Sequence, residues 1–470
     1  MRLRPPALQV ESSDPFASDL LGRRSVAESM TELARGAQDG LVVSLHGQWG
    51  SGKSTFLNMW RLQLQAAGFR TLNFNAWETD IADDAMVALL GELETGLSGP
   101  TPAPGVEPTA LQASVKKAKK IGSKLLRSAI PTAIRVATAG ALNVEDLSEE
   151  IISEWTGKLA EEQVAAYESA RKSIQTFRDS ISAVANAASE SSDSSELLPL
   201  VFIIDELDRC RPSYAVRVLE CVKHFFAVPG VMFVLAVDTD QLSHAVKSQY
   251  GQTMDASGYL RRFFDLELSL PEPKESDFSN AQFQRFDLEK VFEERRKFSS
   301  LGYEKSNLLE TFEELFVVFR CSLRDRERCF TLLAFAMRST PKNHFLHPIV
   351  LAALIVLKVK ASDTYFRVSQ HLATADDVIR IFSERPGGRD FLDTRSGQWL
   401  QACFHAVFSR RFEIKDIIQR LQLESESDVN ESTKERAKDL IGMLQSREIG
   451  DMSGSLDYLL SKIDLVGTKR

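Results

Sequence analysis

Residues 47–54 read GQWGSGKS, and this stretch decides the fold. It satisfies G-x-x-x-x-G-K-[S/T]. Before it lies LVVSL (Leu41–Leu45), a run suited to a buried parallel strand, and after it TFLNMWRLQLQAAG (Thr55–Gly68), a helical stretch. Gly47, Gly50 and Gly52 let the backbone fold into a nest of inward-pointing N–H groups, and the following helix N-terminus adds positive potential. In such a cradle Lys53 bridges the β- and γ-phosphates and the Ser54 hydroxyl ligates Mg²⁺. The expected nucleotide-binding set is therefore Gly47, Gln48, Trp49, Gly50, Ser51, Gly52, Lys53, Ser54 and Thr55.

A triphosphate site of this kind needs a carboxylate at the C-terminal end of a neighbouring buried strand. LVFIIDELD (Leu200–Asp208) supplies it. Asp205 is the expected Mg²⁺ partner through water, and Glu206 is placed to polarise the attacking water as general base; the alternative is that both acids cap the helix that follows. Further strands are expected at Arg70–Asn75, Val231–Val237 and Phe264–Leu270, with helical patterns between most of them. That alternation predicts an α/β fold with a parallel sheet covered on both faces. Asp238 and Asp240 end the fourth strand, where a polar group can sense a γ-phosphate or simply form a turn. Arg209, Arg211, Arg261, Arg262, Arg324 and Arg328 compete for the role of a charge-stabilising arginine. His344 and His347 form HFLH, which without nearby cysteines reads as packing and capping rather than a metal site.

The second and third strands are about 120 residues apart, too far for one α/β connection. An insertion is expected over 98–196, bracketed by PTPAPGVEP (Pro100–Pro108) and ESSDSSE (Glu190–Glu196). The core is then 19–97 with 197–272, preceded by an arm over 1–18. Ser25 should cap the first helix, with Glu28 three residues on. From 273 to 423 the pattern is helical, clearest at Asn307–Phe319, Arg324–Met337, Pro348–Val359 and Ala375–Ser383, and 424–470 reads as a polar linker and tail.

The formal charge of −8 argues against a surface built to coat nucleic acid. It conceals an internal division, however. Residues 108–144 hold seven Lys/Arg and no acid, whereas 145–196 hold twelve acids and four bases. The basic half, an amphipathic stretch around Lys116–Ala141, suits an anionic membrane surface or a partner protein; alternatively the two halves pair as antiparallel helices. The longest apolar run, Ile349–Leu357, has nine residues against the ~20 needed to span a bilayer. With five cysteines and no CxxC pair, a reducing, cytoplasmic setting is expected, with peripheral membrane contact as its extension.

Beyond the phosphate loop, several separated segments resemble the KAP family of P-loop NTPases. They are DLLGRRSVAESM (Asp19–Met30), the Trp49 of GQWGSGKST, FNAW (Phe74–Trp77), IIDELDRC (Ile203–Cys210), VLAVDTDQL (Val234–Leu242), YLRRFFDLELSLP (Tyr259–Pro271) and SLRDRERCF (Ser322–Phe330). The resemblance spans residues 19 to about 335. It implies a RecA-like core of the additional-strand, catalytic-Glu (ASCE) class, with a mainly helical insertion and a helical C-terminal region. It also implies ATP rather than GTP, a switch driven by ATP·Mg²⁺ hydrolysis in a signalling or defence-type assembly, closure of the helical region over the nucleotide, and nucleotide-dependent homo-oligomers. The competing expectation is a nucleotide-bound scaffold with negligible turnover. Many relatives carry membrane-spanning helices in the insertion; here Arg127 and Arg135 interrupt the best candidate. Glu206 stands where the family often has Asp, which favours hydrolysis.

Overall fold

The computed structural model describes residues 10–81, 84–97, 109–128, 158–190, 197–272, 275–298, 301–409, 413–426, 431–446, 449, 452 and 455–464. The chain divides into two compact units, Gln9–Pro271 and Glu272–Arg470.

In the first unit five strands, β1 (Leu41–His46), β2 (Thr71–Asn75), β3 (Leu200–Asp205), β4 (Val231–Val237) and β5 (Leu266–Ser269), form one parallel sheet in the order β2-β3-β4-β1-β5. All five expected strands are present, with ends shifted by up to two residues. β4, VMFVLAV, is buried at every position because it lies between β1 and β3 with both faces covered. That interposed strand is the additional-strand arrangement, so this unit is an α/β P-loop core of the RecA-like class. Parallel pairing brings the C-terminal ends of β1, β3 and β4 to one edge of the sheet. On one face Phe202 stacks on Phe233 at 5.0 Å, and such burial contributes roughly 1.5–3 kcal/mol per ring.

The helices of this unit are α1 (Arg24–Arg35), α2 (Lys53–Ala66), α3 (Ala76–Thr79), α4 (Ala85–Leu97), α5 (Ala110–Ser128), α6 (Lys158–Glu190), α7 (Pro212–Cys221), α8 (Thr239–Tyr250) and α9 (Ala256–Leu260). Ser25 does not cap α1. Arg23 is the cap residue, and the Asp19 carboxylate instead accepts from the amides of Leu21 (3.0 Å), Arg23 and Arg24 (3.2 Å). An acid four residues upstream thus satisfies donors that a local cap would have taken. The expected arm also differs from the structure over its described part: Phe16 is buried edge-on against Phe56, and Asp14 pairs with Arg24. Residues 1–9 lie outside the described residues, as do the proposed linkers at 98–108 and 191–196 and the segment 129–157 that holds Arg135 and part of the acidic half.

α5 and α6 do pack together, and their described residues meet through an apolar seam. Val115, Ala118 and Leu125 of α5 join Phe177, Ile181 and Val184 of α6 in the same core as β2, β3 and β4. At Gly122 an added Cβ would lie 2.6 Å from Leu90 and 3.0 Å from Phe177, so glycine permits this close approach. Arg178 donates to the carbonyls of His224 (3.0 Å) and Ala227 (2.8 Å), anchoring α6 to the π-turn Val222–Phe226. Lys116, Lys117 and Lys120 are left on the solvent side, and Lys119 pairs with Glu94 of α4.

The second unit is helical among its described residues, including Glu304–Val318, Leu323–Arg338, Pro348–Lys360 and Ala375–Ser383 where such helices were expected. The apolar run of Pro348–Lys360 is buried continuously from Val350 to Leu357, which makes it a central core helix. A buried pair, Arg295 and Glu304, joins through two bonds of 2.6 and 2.8 Å. The stretch expected to be a polar linker leading to a short final helix or a tail contains helices among its described residues, the final short one being Leu456–Asp464. Glu424 lies within Glu413–Glu426, and Glu431–Leu444 and Leu456–Asp464 bury Leu440, Leu444, Leu459, Leu460 and Ile463. Polar residues in ESESDVNESTKER mask apolar positions that recur only farther along. The tie to the central helix is specific: Lys358 donates to the Ile463 carbonyl at 3.1 Å, and Tyr365 to Asp464 at 2.7 Å.

Candidate nucleotide site

β1 ends at His46, and the loop that follows is stitched to β4 by Gly47 N–H donating to the Val237 carbonyl at 3.2 Å. Gly50 (φ 80°) and Gly52 (φ 84°) both take the left-handed conformation, which lets the loop turn its amides inward. A Cβ at Gly47 would lie 2.8 Å from the Ser51 hydroxyl and 3.2 Å from Lys53. No side chain caps α2, whose first helical residue is Lys53, so no side chain competes for the donors of its first turn. The Lys53 side chain is buried and its ammonium donates to the carbonyls of Gly47 and Gln48 (3.4 Å). Burial lowers its pKa, opposed by Asp208, Asp238 and Asp205. Ser54 and Thr55 open to solvent, as do Gln48 and Trp49.

From the neighbouring strands, Asp205 closes β3, with the Ser54 side chain near enough to help hold its pKa down. Burial raises the Asp205 pKa, and Ser54 and the Glu206 amide (2.8 Å to Oδ1) pull it back. Glu206 takes a left-handed φ of 61°, which costs a residue with a side chain roughly 1–3 kcal/mol. Both of its oxygens are engaged: Oε1 lies 2.5 Å from the Arg209 guanidinium and Oε2 accepts from Asn75 Nδ2 at 3.2 Å. Asn75 ends β2, in register with Asp205. Arg209 also lies over the Trp77 ring, 5.6 Å from its centre.

Asp238 does not reach out as a free sensor. Its Oδ1 accepts from Gln241 N–H (3.3 Å), capping α8, and its Oδ2 accepts from Trp49 N–H (3.2 Å). Asp208 accepts from Trp49 Nε1 at 2.7 Å and from Asp238 N–H at 2.9 Å. Asp240 is exposed and lines a separate 210 Å³ cavity with Arg261 and Glu267. Of the competing arginines, Arg211 is held on Asp80 (2.9 Å), Arg262 is exposed, and Arg324 and Arg328 belong to the second unit. Arg209 alone of the six pairs with a site carboxylate. His344 packs its ring on Tyr458 at 4.3 Å, and His347 is buried at the N-cap of Pro348–Lys360. Among the described residues no cluster of three or more His, Cys, Asp or Glu side chains is arranged to hold a metal ion.

Three residues without a role in the sequence reading shape the site. Asn75 and Asp208 lie inside quoted motifs, but strand register and a long-range bond reveal their contacts. Arg23, within LLGRRS, is buried and donates to the carbonyls of Ser51 and Pro271, both at 2.9 Å. Burial lowers its pKa to about 10. Sequence offers no signal for that bridge, because its two acceptors are main-chain oxygens.

The glycine-bent loop after β1, the lysine beneath it and the serine beside a strand-end aspartate define a nucleotide-binding P-loop domain. The profile of the KAP family P-loop domain matches residues 23–335, two thirds of the chain, and the protein belongs to this family. It is 31% identical over 88 residues to the Phage T7 exclusion protein of Escherichia coli (strain K12); the match takes in 19% of this chain but only 12% of that relative. Among solved structures, the Aeropyrum pernix ORC2 protein, determined as ADPNP–ADP complexes, aligns over 94% of this chain and 95% of its own with 13% identity and a TM-score of 0.33. Among the described residues no helix is long and apolar enough to cross a membrane.

Proposed function

We propose that this chain is an ATPase whose nucleotide state switches its conformation within a signalling or defence-type assembly. The observation that carries this reading is the glycine-bent loop after β1 with Lys53 buried beneath it, within electrostatic reach of Asp205 at the end of β3 across the intervening β4. The residues fit ATP·Mg²⁺: Gly50 and Gly52 bend the loop, uncapped amides open α2, and Ser54 and Asp205 are adjacent hard oxygen donors. Ser54 would hold Mg²⁺ directly and Asp205 through water; the ion would neutralise phosphate charge and orient the terminal phosphate. Lys53 carries its charge to the β- and γ-phosphates, Gly47 to Thr55 wrap them, and Glu206 takes the proton of the attacking water. Lys53→Ala should abolish nucleotide binding, and Glu206→Gln should keep binding while losing turnover. Phosphate release by the Glu206→Gln protein at the parent rate would remove Glu206 from the base role.

The second reading, a nucleotide-bound scaffold with negligible turnover, draws on the double engagement of Glu206 by Arg209 and Asn75, since a carboxylate so paired is a poor proton acceptor. Steady-state phosphate release distinguishes the two. For partner contact we assign the solvent face of α5, where Lys116, Lys117 and Lys120 meet an anionic membrane surface. Nucleotide-dependent homo-oligomers remain part of the switch reading, tested by size measurement with and without a non-hydrolysable ATP analogue.

A further inference from the structure

We propose that Arg209 is a catalytic arginine supplied within the same chain, exchanged between Glu206 and the terminal phosphate of the nucleotide. The inference rests on the ATPase reading above and adds a residue and a control step to it.

Glu206 cannot serve two masters at once. Its Oε1 lies 2.5 Å from the Arg209 guanidinium and its Oε2 accepts a hydrogen bond from Asn75, so each oxygen already has one partner and the carboxylate's charge is met by a cation. A guanidinium held against the carboxylate draws on the charge that a general base needs, so the resident ion pair opposes proton transfer to Glu206. Arg209 is well situated to leave. Its side chain is 28% exposed, and it rises from a three-residue turn, Leu207–Arg209, directly after Glu206. The turn that carries Arg209 is tied to the phosphate loop through Asp208, which accepts from the Trp49 indole at 2.7 Å, so the guanidinium lies beside that loop. Trp77 gives it an aromatic face to rest on, which tolerates a sliding planar cation without demanding one hydrogen-bond geometry.

A triphosphate held by Lys53 brings a dense negative charge into the loop. Arg209 moves to it, and one displacement has two consequences. The guanidinium donates to the phosphate oxygens that gain charge, and Glu206 is released to accept a proton. In the step itself the oxygen of water bonds to the terminal phosphorus, the bond from phosphorus to the bridging oxygen breaks, and ADP and phosphate leave. The water proton goes to Glu206. ADP, lacking the terminal phosphate, leaves Arg209 on Glu206 and the base occupied, so hydrolysis is coupled to recognition of the third phosphate. Asn75 stays on Oε2 and keeps the carboxylate oriented.

The experiment is a comparison of affinities of a non-hydrolysable ATP analogue and ADP, by calorimetry on the full chain. Arg209→Ala should weaken the analogue about 10-fold and change ADP less than twofold, while turnover falls by at least about 100-fold. Arg209→Lys, which keeps the charge but not the fork, should recover part of the analogue affinity. Glu206→Gln, by loosening the resident partner, should tighten the analogue several-fold over parent, and this gain should vanish in the double variant with Arg209→Ala. The analogue, but not ADP, should also shift the emission of Trp77, identified by difference from Trp77→Phe. Equal loss of ADP and analogue in Arg209→Ala and Arg209→Lys, or a Glu206→Gln gain that survives without Arg209, would assign Arg209 a structural role and overturn the proposal. If instead Lys53→Ala still binds the analogue, it is the nucleotide reading itself that fails.

Discussion

Arg23 offers the clearest test of how the phosphate loop is held from behind. Its guanidinium, 2% exposed, donates at 2.9 Å to Ser51 O inside the loop and at 2.9 Å to Pro271 O at the exit of β5. Burial takes its pKa from 12.5 to about 10, a cost to the charged form of about 3 kcal/mol. Two bonds from a charged donor are worth about 3–6 kcal/mol together. The arrangement is therefore favourable by about 0–3 kcal/mol while the charge is kept. Arg23→Met removes the charge and its desolvation cost but leaves two carbonyls unmet, at about 1–3 kcal/mol each. The net loss expected is about 2 kcal/mol, and it should be local. Hydrogen exchange of peptides covering the loop and the end of β5 should accelerate about 30-fold, the factor that 2 kcal/mol represents, with little change in β3 and β4. Because the Ser51 carbonyl is then untethered, ATP affinity should fall about 10-fold. An Arg23→Met protein with parental exchange at the loop and parental ATP affinity would refute the idea that this bridge shapes the site.

Two further outcomes follow from other parts of the molecule. His347 is buried at the N-cap of its helix with its pKa depressed from 6.5 to about 4 by desolvation, so the folded state refuses a proton that the unfolded chain accepts. Stability from this group is complete above pH 6.5 and drains away as pH falls toward 4; the second unit should lose about 2 kcal/mol between pH 7 and 5, measured by urea unfolding, and His347→Gln should flatten that slope. On α5, changing Lys116, Lys117 and Lys120 to Ala should reduce binding to anionic vesicles by about 100-fold at low salt, at about 1 kcal/mol per lysine, and unchanged co-sedimentation would remove the membrane assignment.

What could be read in advance divides along physical lines. β1 and β4 were legible because strands buried on both faces have no polar alternation to confuse them, and GQWGSGKS was legible because left-handed glycines before a helix start leave a local trace. The expectation at Asp205 and Glu206 came from strand-end placement taken together with the phosphate loop, since two acids after a strand can equally cap the next helix. Contacts set by register were not legible: Asn75 reaches Glu206 only because β2 and β3 pair Asn75 with Asp205. Nor was the cap of α1, since Asp19 lies too far upstream for a box motif. The charge division of the insertion was visible, but its meaning was not. Charge counts say nothing about which helix face is apolar, and Val115, Ala118 and Leu125 decide how α5 packs while the lysines remain outside.

The sheet order explains why control of this site can be so compact. β4 lies between β1 and β3, so a side chain at the end of β3 must reach across one strand to touch the loop after β1, and Asp208 does so by holding the Trp49 indole. The same carboxylate oxygen accepts from the Asp238 amide at the end of β4, and Asp238 in turn holds the Trp49 main chain. Trp49 is thus fixed at two points by acids from two strands, although its side chain is 45% exposed. A wholly hydrophobic account of that residue would leave a large ring in solvent for no gain. As a donor it has a clear use, because Asp208 is flanked in one short turn by Leu207, which is fully buried, and by Arg209. The Trp49–Asp208 bond therefore links the loop to the turn that carries Arg209, and Leu207 anchors that turn in the core. In the reading proposed above, a phosphate entering between Gly47 and Lys53 acts on Arg209 through its charge, and the Trp49–Asp208 bond places the loop beside the turn that carries the guanidinium.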